Sequence, residues 1–255
     1  SGSEGTFVKK LNDGTYTLHE VAAPSGYEVT TDITFAIRDG KLVNSDAISD
    51  GNTVTMVDDM KETDVKISKA NVFGDEVKGA QLTLTGKDLT GRDVTFDIDN
   101  VVLGKDAELK TKEDGTKITW VSGSEGTFVK KLNDGTYTLH EVAAPSGYEV
   151  TTDITFTIKD GKLVDSEAVS NGNTVTMVDD MTETDVKISK QNVLSEELKG
   201  AKLTLTGKDF NGNAVVFNVN NVELGKDAVL ETKENGKELT WVSGSEGTFV
   251  KKLND

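Results

Sequence analysis

The sequence repeats itself with a period of 121 residues, and this repeat limits the possible folds more than any other feature. Residues 1–35 recur unchanged at 122–156, and the opening stretch of this segment appears a third time at 243–255. Solenoid repeats recur every ~20 to 50 residues, so a period of this length corresponds to a whole domain. We therefore expect a tandem array of similar domains.

Each period is rich in short segments that alternate apolar and polar residues or carry β-branched side chains, as strands do. Gly, Asn, Asp and Pro clusters separate them, and no segment has a convincing helical period. The pattern predicts an all-β fold of β-sandwich repeats. In the middle of the chain the predicted strands are 64–69, 81–86, 93–98, 117–121, 126–132, 136–142, 148–158 and 173–179.

If a domain runs from the first of these strands to the last, the chain holds one complete repeat. The predicted domains are the back half of a repeat at 1–62, a complete repeat at 63–182 and the front half of a further repeat at 183–255. We call them the first, middle and third repeats.

The net charge of −16 argues against nucleic acid and anionic membrane surfaces as partners, because neither binds an acidic surface. There is no cysteine, which excludes disulfide and thiolate chemistry. No apolar run approaches the roughly 20 residues of a membrane span. The sequence shows no metal or nucleotide motif and no catalytic triad, so we expect no cofactor and no enzymatic activity.

Three strands of the middle repeat end an inward-facing apolar stripe with one ionisable residue. The stripes are Val65–Ile67–Lys69, Tyr137–Leu139–Glu141 and Val175–Met177–Asp179, and their second copies end in Lys190, Glu20 and Asp58. These residues could form a buried salt bridge with a spare carboxylate, or lie at frayed strand ends that reach water. A third possibility is chemical: burial disfavours charged forms, a neutral amine is a nucleophile, and it can condense with a protonated carboxyl to an amide. The glutamate would then shuttle protons.

The motifs "VKISK", "GAKLTLTG", "GTYTLHEVAAPSGYEVTTDITFTI" and "NTVTMVDD" together resemble the Cna-B-type, SpaA-like isopeptide-forming domains of Gram-positive surface proteins and pilins. They are most similar to the member that was split into a protein–peptide ligation pair. The resemblance implies an immunoglobulin-like or prealbumin-like sandwich. It also implies roles for residues of this chain: bond-forming lysines at Lys69 and Lys190, bond-forming aspartates at Asp179 and Asp58, and proton-shuttling glutamates at Glu141 and Glu20. Segment 86–117 is longer than in compact members, and we expect an extra hairpin or ordered loop there.

The resulting hypothesis is an extracellular stalk on the cell surface or cell wall of a Gram-positive bacterium. Each repeat would be stapled by its own Lys–Asp isopeptide bond, and its partners would be neighbouring repeats of the same or identical chains. Two alternatives stay open. The repeats could be adhesin modules that bind a host extracellular matrix protein or glycan, or the two incomplete ends could join chains through Lys190–Asp58 bonds.

Other conspicuous residues have simpler interpretations. His19 and His140 fall on the outward phase of their strands and are expected to face solvent. Trp120 and Trp241 are expected to pack in a core rather than stack on a ligand. The "DIDN" and "NVNN" segments offer oxygen ligands without the spacing of a calcium loop.

Overall fold

A computed structural model describes residues 2, 4–43, 48–164, 166, 168–170, 172–209 and 212–254. It confirms the all-β prediction. The strands of the first repeat are β1 Gly14–Leu18, β2 Ile33–Arg38, β3 Lys41–Val43, β4 Ile48–Asp50 and β5 Thr53–Val54. Those of the third repeat are β17 Glu183–Ile188, β18 Lys202–Leu205, β19 Val222–Glu223, β20 Val229–Leu230, β21 Leu239–Val242 and β22 Thr248–Asn254.

The middle repeat contains two sheets. Its strands are β6 Glu62–Asn71, β7 Gln81–Asp88, β8 Val101–Val102, β9 Glu108–Leu109, β10 Lys117–Val121, β11 Thr127–Asn133, β12 Gly135–Ala143, β13 Ile154–Lys159, β14 Lys162–Leu163, β15 Val169–Ser170 and β16 Thr174–Asp179. One sheet has the order β14-β13-β12-β7-β10-β9, and the other has the order β15-β16-β6-β11-β8. The first and last long strands, β6 and β16, are therefore hydrogen-bonded neighbours.

The inward-facing side chains of both sheets form the core of the middle repeat. Tyr137 stacks on Phe156 with ring centroids 5.4 Å apart, and its hydroxyl donates to the backbone oxygen of Asn133 at 2.7 Å. Trp120 is buried here, and its equivalent Trp241 is buried in the third repeat, which confirms the predicted core packing. Other buried members of the core are Val65, Ile67, Leu82, Leu84, Ile118, Val129, Leu139, Ile158, Val175 and Met177.

Two predicted strands of the middle repeat differ from the structure. Segment 93–98 makes only isolated bridges, because its end turns into a short 3-10 helix, Ile98–Asn100, capped by Asp97. Segment 148–158 is a strand only from Ile154 onward. The expectation of no helix misses this 3-10 turn and its equivalent, Val219–Asn221.

The long segment 86–117 is ordered, and it folds back on itself through two isolated antiparallel bridges, Lys87–Asp93 and Phe96–Gly115. Its strand β8 pairs with β11 at the edge of one sheet, and its strand β9 pairs with β10 at the edge of the other. The segment thus extends both sheets and protects their edges. It also lies against the turn at 122–126, where a Cβ added to Gly123 would stand 2.0 Å from the Lys105 carbonyl oxygen.

By its contacts the described chain divides into two compact units. One comprises residues 1–68, 82–140 and 153–177, and the other comprises residues 69–81, 141–152 and 178–255. The repeat boundaries at 62 and 182 remain predictions from the sequence. In the third repeat a small core forms from Phe217, Leu239, Trp241 and Val250.

The close approach at Gly123 generates a stability prediction. Gly123→Ala should destabilise the protein by about 1 to 3 kcal/mol, because the new methyl group must displace backbone rather than a flexible side chain. Chemical denaturation measures the change. Gly115→Ala is the matched control, since a Cβ at Gly115 meets no atom within 4 Å. Equal effects of the two substitutions would show that the approach at Gly123 does not matter.

Candidate functional site

Lys69, Glu141 and Asp179 meet inside the middle repeat. The Nζ atom of Lys69 contacts Oδ1 of Asp179 directly and lies 3.3 Å from Oε1 of Glu141. The three residues are at most 1% exposed. A lysine and two carboxyl groups therefore share a site without access to water, although 110 residues separate Lys69 from Asp179 in the sequence.

Strand alternation explains why these side chains converge. Lys69 lies on β6 and Asp179 ends β16, which neighbours β6 in the same sheet, while Glu141 lies on β12 in the other sheet. Each follows two buried apolar residues at alternate positions of its strand. The three groups therefore continue the layers of the apolar core, where an unpaired charge is costly.

The backbone around Lys69 is held by the hairpin that follows it. The Lys69 amide donates to Oε2 of Glu76 at 3.2 Å, and the Lys69 carbonyl accepts from the Val77 amide at 2.7 Å. Asn71 closes the turn, because its Oδ1 accepts from the amides of Phe73 and Asp75 at 3.0 Å. These bonds fix the point from which the lysine side chain enters the core.

Glu141 is oriented by a loop that the sequence analysis assigned to a strand. Its Oε2 accepts from the Thr151 amide at 2.8 Å, which leaves Oε1 toward the lysine. The Glu149 amide of the same loop donates to the Asp180 carbonyl at 2.9 Å. Thr151 and Glu76 thus hold residues of the site in place, and the sequence pattern did not predict this role for either of them. The unchanged recurrence of 144–152 at 23–31 was the available signal for this loop.

Two carboxyl oxygens of the site, Glu141 Oε1 and Asp179 Oδ2, accept no hydrogen bond within the described residues. Leaving buried acceptors unsatisfied is unfavourable by about 1 to 3 kcal/mol each. Burial raises the pKa of Asp179 to about 6, and the neighbouring Glu141 adds to this rise, whereas the ammonium group of Lys69 counteracts it. The site therefore favours a protonated carboxyl group more than an exposed aspartate would.

The sequence matches the family model of the SpaA prealbumin-like fold domain over residues 1–51 and 63–172. The chain belongs to this family. The match confirms the SpaA-like resemblance and the prealbumin-like sandwich expected from the motifs. No curated protein matches the sequence at a significant level.

Several solved structures resemble this SpaA-family chain. The Bacillus anthracis TIE protein is 20% identical over 93% of this chain and 40% of its own length, with a TM-score of 0.47. A C-terminal fragment of the pilus adhesin SpaC from Lactobacillus rhamnosus GG is 22% identical over 68% of this chain and 78% of its own length, with a TM-score of 0.34. This chain thus spans less than half the length of the TIE protein. The family assignment rests on the family match, because each structure is below 25% identity and a TM-score of 0.5.

The second copies of the site residues keep the local hydrogen bonds but not the burial. Oε2 of Glu20 accepts from the Thr30 amide at 2.9 Å, and the Lys190 amide donates to Oε2 of Glu197 at 3.2 Å. Glu20 is half-buried and Lys190 is exposed. Partial burial and the adjacent Glu20 carboxyl raise the pKa of Asp58.

The remaining candidates lie away from the buried site. His19 and His140 are exposed, as predicted, and each pairs with an aspartate across the strand pair, Asp32 and Asp153. No cluster of three or more metal-ligating side chains occurs among the described residues. None of the helices in that part of the chain is long and apolar enough to cross a membrane.

The raised pKa of Asp179 generates a pH prediction for Lys69→Met, a variant that retains the buried carboxyl group but has no amine. The native state then holds the proton more tightly than the unfolded chain, whose aspartates ionise near pH 4. The contribution of Asp179 to the free energy of unfolding should be largest below about pH 4 and fall by about 3 kcal/mol as pH rises through about 6 and above. The charge and hydrogen bond of Lys69 lower the pKa of Asp179. In Lys69→Met this pKa should therefore be higher, so the decline in stability should extend to higher pH.

Denaturant titration across pH measures this effect. The matched control is Lys69→Met combined with Asp179→Asn, which should show a smaller decline because position 179 no longer titrates. A flat profile for the single variant would contradict a desolvated carboxyl group at Asp179.

Proposed function

We propose that this protein is a structural stalk element whose middle repeat staples itself with an isopeptide bond between Lys69 and Asp179. The supporting observation is the direct contact of the Lys69 amine with the Asp179 carboxyl group in a site that excludes water. An ordinary buried ion pair usually gains little stability over apolar packing, because desolvation offsets the attraction. Condensation removes this penalty, since the product amide carries no charge.

The proposed reaction balances without any cofactor. The neutral Nζ of Lys69 attacks Cγ of protonated Asp179, and a new N–C bond forms. The nitrogen releases one proton to Oε1 of Glu141, which lies 3.3 Å away. Glu141 passes a proton to the departing hydroxyl, the C–O bond breaks, and water leaves. Glu141 ends in its initial state, as a general acid–base does. The bond forms once in each domain, so the protein is not a turnover enzyme.

The position of the bond suits a load-bearing role. Tension on an array enters the middle repeat through β6 and leaves after β16. A covalent link between these neighbouring strands would carry the load directly and bypass the residues from 70 to 178. The link would also close a loop of 110 residues, which by analogy with disulfides constrains the unfolded chain by about 4 to 5 kcal/mol.

This role places the chain outside the cell, as a pilin- or adhesin-type surface protein of a Gram-positive bacterium. Solved structures that resemble this chain include a streptococcal ancillary pilin and the major pilin subunit of Bacillus cereus. Its partners would then be neighbouring repeats or identical subunits. An amide staple suits this setting, because the chain has no cysteine and an amide is insensitive to redox conditions.

A second candidate function is covalent chain joining through Lys190 and Asp58. The favouring observation is that both residues lie in locally formed copies of the site: Glu20 is oriented by Thr30, and the Lys190 amide by Glu197. Heat-resistant ladders on denaturing gels would support this function. Their disappearance in Lys190→Arg, with the middle repeat unaffected, would assign the ladder to this bond.

Intact mass tests the proposed bond. The chain should weigh one water less than its sequence, because one amide forms and one water leaves. Asp179→Ala and Glu141→Ala should both restore the full mass, the first by removing the electrophile and the second by removing the proton carrier. A branched peptide joining Lys69 to Asp179 should appear in the digest of the parent chain.

The repeat supplies matched controls for this measurement. Asp58→Ala and Glu20→Ala change the same residue types in the same local motifs. The monomer of each variant should still weigh one water less than its sequence. A parent chain of full mass, with both side chains unmodified, would overturn the proposed bond.

Single-molecule stretching tests the mechanical role. The parent middle repeat should not extend under force, whereas Asp179→Ala should release about 400 Å of additional chain. This length follows from 110 residues at about 3.6 Å each. Asp58→Ala should leave the extension of the middle repeat unchanged. An equal extension of parent and Asp179→Ala would show that the bond does not carry the load.

A further inference from the structure

The first repeat has one buried residue among those of 1–62 whose burial the structure describes, and this residue is Gly26. Large apolar side chains of the same repeat, such as Phe7 and Val8, are exposed. Gly26 is buried because it lies against the middle repeat. A Cβ added to it would stand 3.0 Å from Oδ2 of Asp134 and 3.1 Å from Leu89.

The loop that contains Gly26 binds the carboxylate of Asp160 in the middle repeat. The Ser25 hydroxyl donates to Oδ1 of Asp160 at 2.6 Å, and the Gly26 amide donates to the same oxygen at 3.2 Å. The Ser25 hydrogen bond is the main cause that lowers the pKa of Asp160. Hydrogen bonds to a charged acceptor are stronger than neutral ones, so this contact favours one docked arrangement.

The linker at Lys61, just before the predicted start of the middle repeat, reinforces the same contact. The Lys61 amide donates to the Gly26 carbonyl at 2.9 Å, and the Lys61 carbonyl accepts from the Asn133 side chain at 3.2 Å. The Lys61 side chain covers Gly161, where an added Cβ would stand 3.1 Å from Lys61 Cβ. The loop and the linker therefore enclose the turn formed by Asp160 and Gly161 from two sides.

The enclosed turn has the same conformation as its copy in the first repeat. Asp39 and Gly40 adopt φ angles of 51° and 67°, close to the 54° and 68° of Asp160 and Gly161. In both copies the two amides donate to one upstream aspartate, which is Asp13 in the first repeat. The carboxylate is thus presented in a fixed direction and can bind without rearrangement.

The docking loop also recurs. In the middle repeat, Pro145, Ser146 and Gly147 repeat the loop, with a Gly147 φ angle of 89° against 85° for Gly26. The Tyr148 amide donates to the Pro145 carbonyl at 3.2 Å, and the Thr182 amide donates to the Gly147 carbonyl at 2.9 Å. These bonds match those of the first loop, but Gly147 is only half-buried.

We infer that the Pro-Ser-Gly loop of each repeat is a docking site for the Asp-Gly turn of the following repeat, and that this contact fixes the orientation of successive repeats. The loop at 145–147 is accordingly an interaction surface, and its partner is the acidic turn of a following copy of the domain. The inference does not depend on the isopeptide bond, because none of its residues belongs to the buried site.

Distance measurement between spin labels in the full chain tests this docking contact between the first and middle repeats, which we call the joint. The protein has no cysteine, so Thr34→Cys and Thr155→Cys can place one label at equivalent exposed positions of the first and middle repeats. The background with intact Ser25 and Asp160 should give a single narrow distance. Adding Ser25→Ala or Asp160→Asn should remove this narrow distance, because the charged hydrogen bond is lost.

The repeat again supplies the controls. Asp39→Asn alters the same turn in the first repeat, and Ser146→Ala alters the same loop in the middle repeat; both should keep the narrow distance. Hydrogen exchange should show faster exchange at the Gly26 amide in Asp160→Asn, with the β1–β2 amides unchanged. This second readout separates undocking from unfolding of the first repeat.

A broad distance in the background chain, or a narrow distance retained in Asp160→Asn, would overturn the joint. Intact mass on the same samples keeps this result separate from the proposed bond. Both joint variants should remain one water lighter, because they leave Lys69, Glu141 and Asp179 unchanged.

Discussion

The middle repeat depends on burying a lysine and two carboxyl groups together at the end of its apolar core. Such burial is normally unfavourable, because each charge loses its hydration. Here the contact between Lys69 and Asp179 offsets part of that cost, yet two carboxyl oxygens accept no hydrogen bond from any residue that the structure describes. The arrangement is poorly explained as an ion pair selected for stability. The condensation proposed above would replace the ionisable pair with an uncharged amide.

The rest of the repeat positions these groups. Strands β6 and β16 must be neighbours for the amine to reach the aspartate, and β12 must face them from the other sheet to supply the glutamate. The hairpin after Lys69 and the loop at 145–152 then fix the backbone and the Glu141 carboxyl group. The fold therefore brings together residues from its first strand, its middle and its last strand.

Much of this was predictable from the sequence, and the exceptions have a common cause. Alternation on β6, β12 and β16 was enough to predict which side chains point inward, because strand periodicity is local. The strand at 148–158 was predicted too long. The Thr151 amide donates to the Glu141 carboxylate and therefore does not pair with a neighbouring strand. The prediction of a strand at 93–98 was wrong for a similar reason, since the Ile98 amide donates to the Asp114 side chain. Sequence periodicity does not reveal such side chain–backbone competition.

The copies of the site residues in the first and third repeats separate local structure from burial. Glu20 keeps the Thr30 hydrogen bond and Lys190 keeps the Glu197 hydrogen bond, so each short motif forms its local geometry without full burial. What these copies lack is burial: Lys190 is exposed and Glu20 is half-buried. Since desolvation is the main cause that raises the pKa of Asp179, the enclosing core rather than the motif would supply the driving force for the chemistry. Identical motifs are therefore expected to react only where a complete sandwich excludes water from all three groups.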